Sequence, residues 1–146
     1  MQIEIKIDSN CKEPRIIVMT DKVTEEINEL VKQLSEGTPQ VIAGFLEDMV
    51  EILNPEEIIN VYASSGKVYA KTVNDEYLLR MRLYEIEERL SKRSFVRISN
   101  SEIINLKKVK SFDLSFVGTI CVTLSNGTVT YVSRRYVSKI KQVLGI

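Results

Sequence analysis

The chain contains no histidine and no tryptophan among its 146 residues. Without imidazole, every catalytic triad or general base built on histidine is excluded, and so is histidine-ligated zinc. The two cysteines, Cys11 and Cys121, lie too far apart in sequence for a metal-ligand pair or a disulfide framework. They read as reduced thiols, buried or half-buried, of a cytoplasmic protein. Only six glycines and three prolines occur beside 44% hydrophobic residues, which excludes a low-complexity or disordered chain. No run approaches the roughly 20 apolar residues of a membrane span. The first ten residues, MQIEIKIDSN, lack the basic and apolar regions of a signal peptide. A soluble, cytoplasmic chain long enough to bury a real core is expected.

Signatures of small-molecule chemistry are missing as well. There is no GxGxxG fingerprint, and SSGK (64–67) lacks the leading glycine and the spacing of a P-loop. The adjacent carboxylates Glu25-Glu26, Glu56-Glu57 and Glu87-Glu88 point in different directions if helical, so they read as solvated faces instead of acid/base pairs. No enzyme, cofactor, metal or small-molecule substrate is expected.

A formal net charge of zero conceals a strong asymmetry. Residues 1–60 hold five Lys/Arg and thirteen Asp/Glu, a net of −8, whereas residues 61–146 hold fifteen and seven, a net of +8. From Arg89 onward eleven basic residues face only Glu102 and Asp113. An acidic half beside a basic one suits binding of a polyanion, although the same charges fit a solvated surface or pairing between the halves.

The periodicities divide the chain in two. IEIKID (3–8) alternates strictly and predicts a strand, and residues 15–20 predict a second. Val23, Ile27, Leu30, Val31 and Leu34 follow helical spacing, with Asp21 or Thr20 as N-cap and Gly37, Thr38 and Pro39 as the stop. Residues 1–37 thus read as a small β-β-α unit, too short to bury its own apolar face and expected to pack on the rest or on a partner. Residues 38–146 read as a β-rich domain. Short strands are separated by Glu47-Asp48, by a capping Asn54-Pro55, and by Ser65-Gly66. One helix is marked by Leu83, Ile86 and Leu90, and a terminal one by Val137, Ile140 and Leu144. Asn126-Gly127 predicts a hairpin closed by a type I′ turn, followed by a strand from Thr128 to about Val132. The fold class is mainly β (α+β) with short helices.

The polar residues of the basic half fall in connections, where binding groups usually sit on a rigid scaffold. Ser64, Ser65 and Lys67 occupy one hairpin, Asn100 and Ser101 follow a strand, and Ser133, Arg134 and Arg135 lead into the last helix. Arginine suits the O6 and N7 acceptors of guanine and asparagine suits adenine, while serine and lysine more often hold phosphates.

The order of these pieces carries a resemblance. FVRISNSEIINLKKVKSF (95–112), followed by LSNGTVTYVSRRYVSKIKQVLG (124–145), closely resembles the LytTR family of bacterial DNA-binding domains. The matching elements are a Phe-x-Arg strand, a short polar step, an Ile-Asn-Leu segment, an Asn-Gly hairpin, and Val-Ser-Arg-Arg-Tyr entering a terminal helix. The likeness extends over roughly residues 43–145 and is most specific in the last fifty. It implies an elongated β fold of several small sheets whose loops enter successive major grooves from one side of double-stranded DNA. By position it implies Asn100 and Arg135 as base-reading residues, with Ser64, Ser65, Lys67, Ser101, Ser133 and Arg134 as backbone or supporting contacts. Tandem sites, occupied by a homodimer or by paired copies, are implied too.

Two departures qualify what carries over. The family often has a histidine where this chain has Ser99. Many members also carry a receiver domain, for which the N-terminal unit is far too short, so regulation through a membrane-protein partner is implied instead of a phosphorelay. The resulting expectation is a sequence-specific, non-enzymatic transcription regulator. The alternative is a protein-interaction module that uses the acidic N-terminal unit.

Overall fold

The computed structural model describes residues 1–35 and 41–146. The chain divides into two compact units, Met1–Pro39 and Gln40–Ile146. The helix stop expected at Gly37, Thr38 and Pro39 lies outside the described residues.

Among the described residues of the first unit the regular element is helix α1, Glu25–Ser35. Its cap is Thr24, whose Oγ1 accepts from Ile27 N at 3.3 Å, in place of the expected Asp21 or Thr20. Glu25 and Glu26 in the first turn and Lys32 in the last complement the helix dipole. The strands expected over 3–8 and 15–20 are not formed. Alternation supplies strand propensity, but two short strands without a third are marginal in water. Ile3, Ile5 and Ile7, which would have formed the buried face, remain 85–97% exposed.

The described residues of the second unit form ten short antiparallel strands. β1 (Ile42–Leu46), β2 (Met49–Leu53), β3 (Asn60–Ser64), β4 (Lys67–Lys71), β5 (Glu76–Leu79), β6 (Phe95–Ser99) and β7 (Glu102–Asn105) form one sheet in the order β2-β1-β5-β4-β3-β7-β6. β8 (Val109–Asp113), β9 (Ile120–Leu124) and β10 (Val129–Val132) form a second, in the order β10-β9-β8. The two sheets with short helices make the mainly β, multi-sheet fold that was expected, one of the sheets being large. Between strands lie α2 (Leu83–Arg89) and, at the end, α3 (Val137–Leu144).

Alternation along the strands creates two cores. Ile58, Val61, Ala70, Leu79 and Ile103 meet Leu83, Ile86 and Leu90 of α2 on one face of the large sheet. Ile59, Ile98 and Ile104 meet Ile120, Val122, Leu124 and Val132 of the small sheet and Ile140 of α3. Neighbouring residues such as Ile103 and Ile104 serve opposite cores because successive side chains leave opposite faces of a strand. Truncating any of these buried isoleucines to alanine would cost about 2–5 kcal/mol.

The two glycine hairpins differ from each other. Ser65 (φ 51°) and Gly66 (φ 77°) are both left-handed and join Ser64 to its partner Lys67, which is the type I′ solution. At the Asn-Gly site only Gly127 (φ 86°) is left-handed. Gly127 N bonds to Leu124 O at 2.9 Å, Leu124 N bonds to Thr128 O at 2.8 Å, and pairing begins at Thr123 opposite Val129. The hairpin is where it was predicted, but its connection is longer than a type I′ turn. Asn126 Oδ1 accepts from Thr128 N at 3.1 Å, so the side chain works as a local acceptor.

Candidate nucleic-acid interface

Three connections that are distant in sequence meet in the second unit. Strand register brings the first two together: Tyr62 pairs with Glu102, and Ala63 N donates to Ser101 O at 2.8 Å. The β3–β4 hairpin, with Ser64, Ser65 and Lys67, therefore lies beside the β6–β7 turn, with Asn100 and Ser101. The third connection is held to the same place by Ser133 N, which donates to Ile98 O at 2.8 Å. After Ser133 the chain makes a single 3-10 turn, Arg134–Tyr136, before α3 begins. Tyr136 then reaches back, and its hydroxyl donates to Asn100 Oδ1 at 3.1 Å.

The three connections that carry the eight residues singled out from the sequence are thereby adjacent. Ser64, Ser65, Lys67, Asn100, Ser101, Arg134 and Arg135 are exposed, and Ser133 is half-buried. Ser133 precedes the 3-10 turn in extended conformation but makes no side-chain cap hydrogen bond. Arg134 folds its guanidinium over Gly118 in the β8–β9 connection, where a β-carbon would lie 3.5 Å from Nε. Arg135 carries no such contact.

The β6–β7 turn is rigidly held. Arg97 Nε donates to Ser99 O at 2.7 Å and Nη2 to Asn100 O at 2.6 Å, while Nη1 pairs with Glu87 of α2 at 2.5 Å. Ser101 N adds a bond to Ser99 Oγ at 3.2 Å. The planar, multiply donating guanidinium is what allows one side chain to hold two carbonyls and a carboxylate together. Asn100 thus stands on a backbone fixed from below.

The electrostatics favour an anionic ligand. Among the described residues the ion pairs are Arg93–Glu56, Arg97–Glu87 and Lys107–Glu56, so Lys67, Arg134 and Arg135 have no carboxylate partner. Glu102, the acidic residue closest in sequence to Asn100, is occupied by Thr130 and Asn60. The described residues contain no group of three or more Cys, Asp or Glu placed to hold a metal ion.

Several residues that build this edge were not recognised from the sequence. Arg97 and Tyr136 entered only as letters of the family pattern. Asn105, the centre of the Ile-Asn-Leu segment, is buried and structural: its Nδ2 donates to Ile58 O at 2.9 Å, and its Oδ1 accepts from Lys107 N at 3.0 Å. A buried amide flanked by isoleucines implies such pairing, but nothing local says with what.

The model of the LytTr DNA-binding domain matches residues 48–145. The chain belongs to the LytTR family. Its relatives include an HTH-type transcriptional regulator of Staphylococcus aureus strain NCTC 8325, 29% identical over all of this chain and 99% of that one. A regulator of the same designation from strain MRSA252 shows the same identity and coverage. A solved LytTr DNA-binding domain from Bacillus cereus superimposes with a TM-score of 0.69 at 24% identity, covering 73% of this chain and 97% of that one. The helix-turn-helix in the relatives' designation has no counterpart among the described residues of this LytTR chain. β1 to β5 separate α1 from α2, and β6 to β10 separate α2 from α3. No described helix is long and apolar enough to cross a membrane.

Proposed function

We propose that this LytTR chain is a sequence-specific, non-enzymatic transcription regulator of the cytoplasm. Its second unit binds double-stranded DNA by inserting the three clustered connections into successive major grooves. The observation that carries the reading is their convergence: hairpin 64–67, turn 99–101 and connection 133–136 share one edge that bears cations without carboxylate partners. Asn100 and Arg135, exposed on short rigid connections, contact base edges. Lys67 and Arg134, with the hydroxyls of Ser64, Ser65, Ser101 and Ser133, hold phosphates and support the readers. No cofactor or small-molecule substrate enters this function. Two copies occupy paired sites on one duplex. The acidic N-terminal unit, where Val23 before α1 and Leu34 within it are exposed, takes a protein partner, either a second copy or a membrane-protein regulator.

The deciding experiment is selection of bound fragments from random duplex DNA, followed by titration of the selected site across a salt series. A LytTR regulator should return a defined motif, and its affinity should fall steeply and linearly with log salt concentration. Binding that is weak, unselective and insensitive to salt would refute the reading.

A further inference from the structure

The hydrogen bond between Tyr136 and Asn100 has a chemical consequence for what Asn100 can read. An asparagine amide presents one acceptor and two donors, and their arrangement decides which base it matches. Reading adenine in the bidentate manner requires Oδ1 and Nδ2 to face the base together, taking the N6 proton and giving one to N7. Here the phenol of Tyr136 donates to Asn100 Oδ1 at 3.1 Å and holds that oxygen toward the protein. With Oδ1 engaged in this way, Nδ2 and its two protons are the part of the amide left to meet a base.

Both ends of this contact are anchored. Tyr136 packs its ring against the second core, and its backbone N–H bonds to Ser133 O at 2.8 Å. Asn100 has its carbonyl held by Arg97 at 2.6 Å. The remaining freedom is rotation of the Asn100 side chain, and the hydrogen bond donated by the phenol restrains it in this orientation. From this the geometry points to Tyr136 as a specificity-setting positioning residue: it locks Asn100 as a donor, so that the turn selects the adjacent N7 and O6 acceptors of guanine over adenine. The inference rests on the DNA-reading role proposed above, and it replaces the adenine preference expected from residue type alone.

The test is base selection on random duplex DNA with the full chain and two variants, Tyr136→Phe and Asn100→Ala. Phenylalanine keeps the packed ring and removes only the hydroxyl. The wild-type chain should select guanine at the position read by Asn100. In Tyr136→Phe the freed amide should turn either way, broadening that position from guanine to either purine. Discrimination there should fall about fivefold, as one immobilised rotor is released. Other positions and the salt slope should be unchanged, which separates a lost positioning contact from general damage. Adenine or cytosine at that position in the wild type would overturn the donor orientation. So would identical motifs for wild type and Tyr136→Phe when Asn100→Ala changes one position. If Asn100→Ala alters no position, Asn100 is not a reader and the inference falls with that role. Absence of any selected duplex would instead refute the DNA-binding reading itself.

Discussion

Thr130 donates its hydroxyl to Glu102 Oε1 at 2.6 Å, and in doing so links the last strand of the small sheet to the seventh strand of the large one. The other carboxylate oxygen of Glu102 accepts from Asn60 Nδ2 at 3.1 Å. Asn60 is 4% exposed and its Oδ1 has no partner, so Glu102 is all that satisfies its side chain. Glu102→Ala would strand the Asn60 amide in the protein interior and break the bridge between sheets. A loss of about 1–3 kcal/mol is expected in denaturant unfolding, with Glu102→Gln intermediate. Equal stability of Glu102→Ala and wild type would show that water replaces the carboxylate at no cost.

Arg97 should resist conservative replacement. Lysine keeps the charge but cannot reach Ser99 O, Asn100 O and Glu87 from one planar group. Arg97→Lys is therefore expected to cost about 1–2 kcal/mol of stability and to speed hydrogen exchange at the amides of residues 99–101. Unchanged exchange in that turn would mean that the clamp is dispensable.

The cations of the candidate interface should separate into two classes. Arg135→Ala is expected to lose roughly 1–3 kcal/mol of discrimination at one base position while keeping affinity for unrelated duplexes. Lys67→Ala should weaken binding to every sequence alike and lower the salt slope by about one. Competition titrations with selected and scrambled duplexes distinguish the two patterns. Exchange of the patterns would exchange the roles.

Tyr77 provides a pH signature in the first core. Its hydroxyl donates to Glu51 at 2.6 Å, and Gly44 leaves room for its ring, since a β-carbon there would lie 2.8 Å from Tyr77 Cβ. The hydrogen bond to Glu51, reinforced by burial and by the charges of Glu51 and Asp75, pushes the phenol up from 10.0 to about 12. Because the folded state holds this proton more tightly than the unfolded state, the stabilisation is full below pH 10. It is lost as pH rises toward about 12. Denaturant unfolding at pH 9 and pH 11 should show this decline in the wild type and a shallower one in Tyr77→Phe. Parallel declines would exclude Tyr77 as the cause.

Deletion of residues 1–39 should leave DNA selection intact. Both hydrophobic cores and all three clustered connections belong to the unit Gln40–Ile146. The shortened chain is expected to unfold cooperatively and to select the same motif as the full one. A folded, shortened chain that selects a different motif or none would give the N-terminal unit a direct part in recognition.

The sequence by itself determined whatever depends on neighbours along the chain. Ser65-Gly66 and Asn126-Gly127 mark hairpins because glycine tolerates positive φ. Asn54-Pro55 starts a 3-10 turn because asparagine accepts from Glu56 N at 3.1 Å. The spacing of Leu83, Ile86 and Leu90 makes a helix because those positions share a face. The polar connections that form the candidate interface were legible for the same reason, since loop residues are chosen locally. Tertiary structure decided the rest. Alternation at Ile3, Ile5 and Ile7 was as clear as in any later strand, yet no third strand was available and none formed. The longer turn at Asn126 follows from the pairing of Thr123 with Val129, a register set across β9 and β10. Tyr136 meets Asn100, and Thr130 meets Glu102, only after the two sheets have closed over Ile98 and Ile104. These pairs lie 36 and 28 residues apart, and no local preference encodes contacts over such separations. Burial of the isoleucines brings the strands together, and the polar pairs form between the side chains that this burial leaves facing one another.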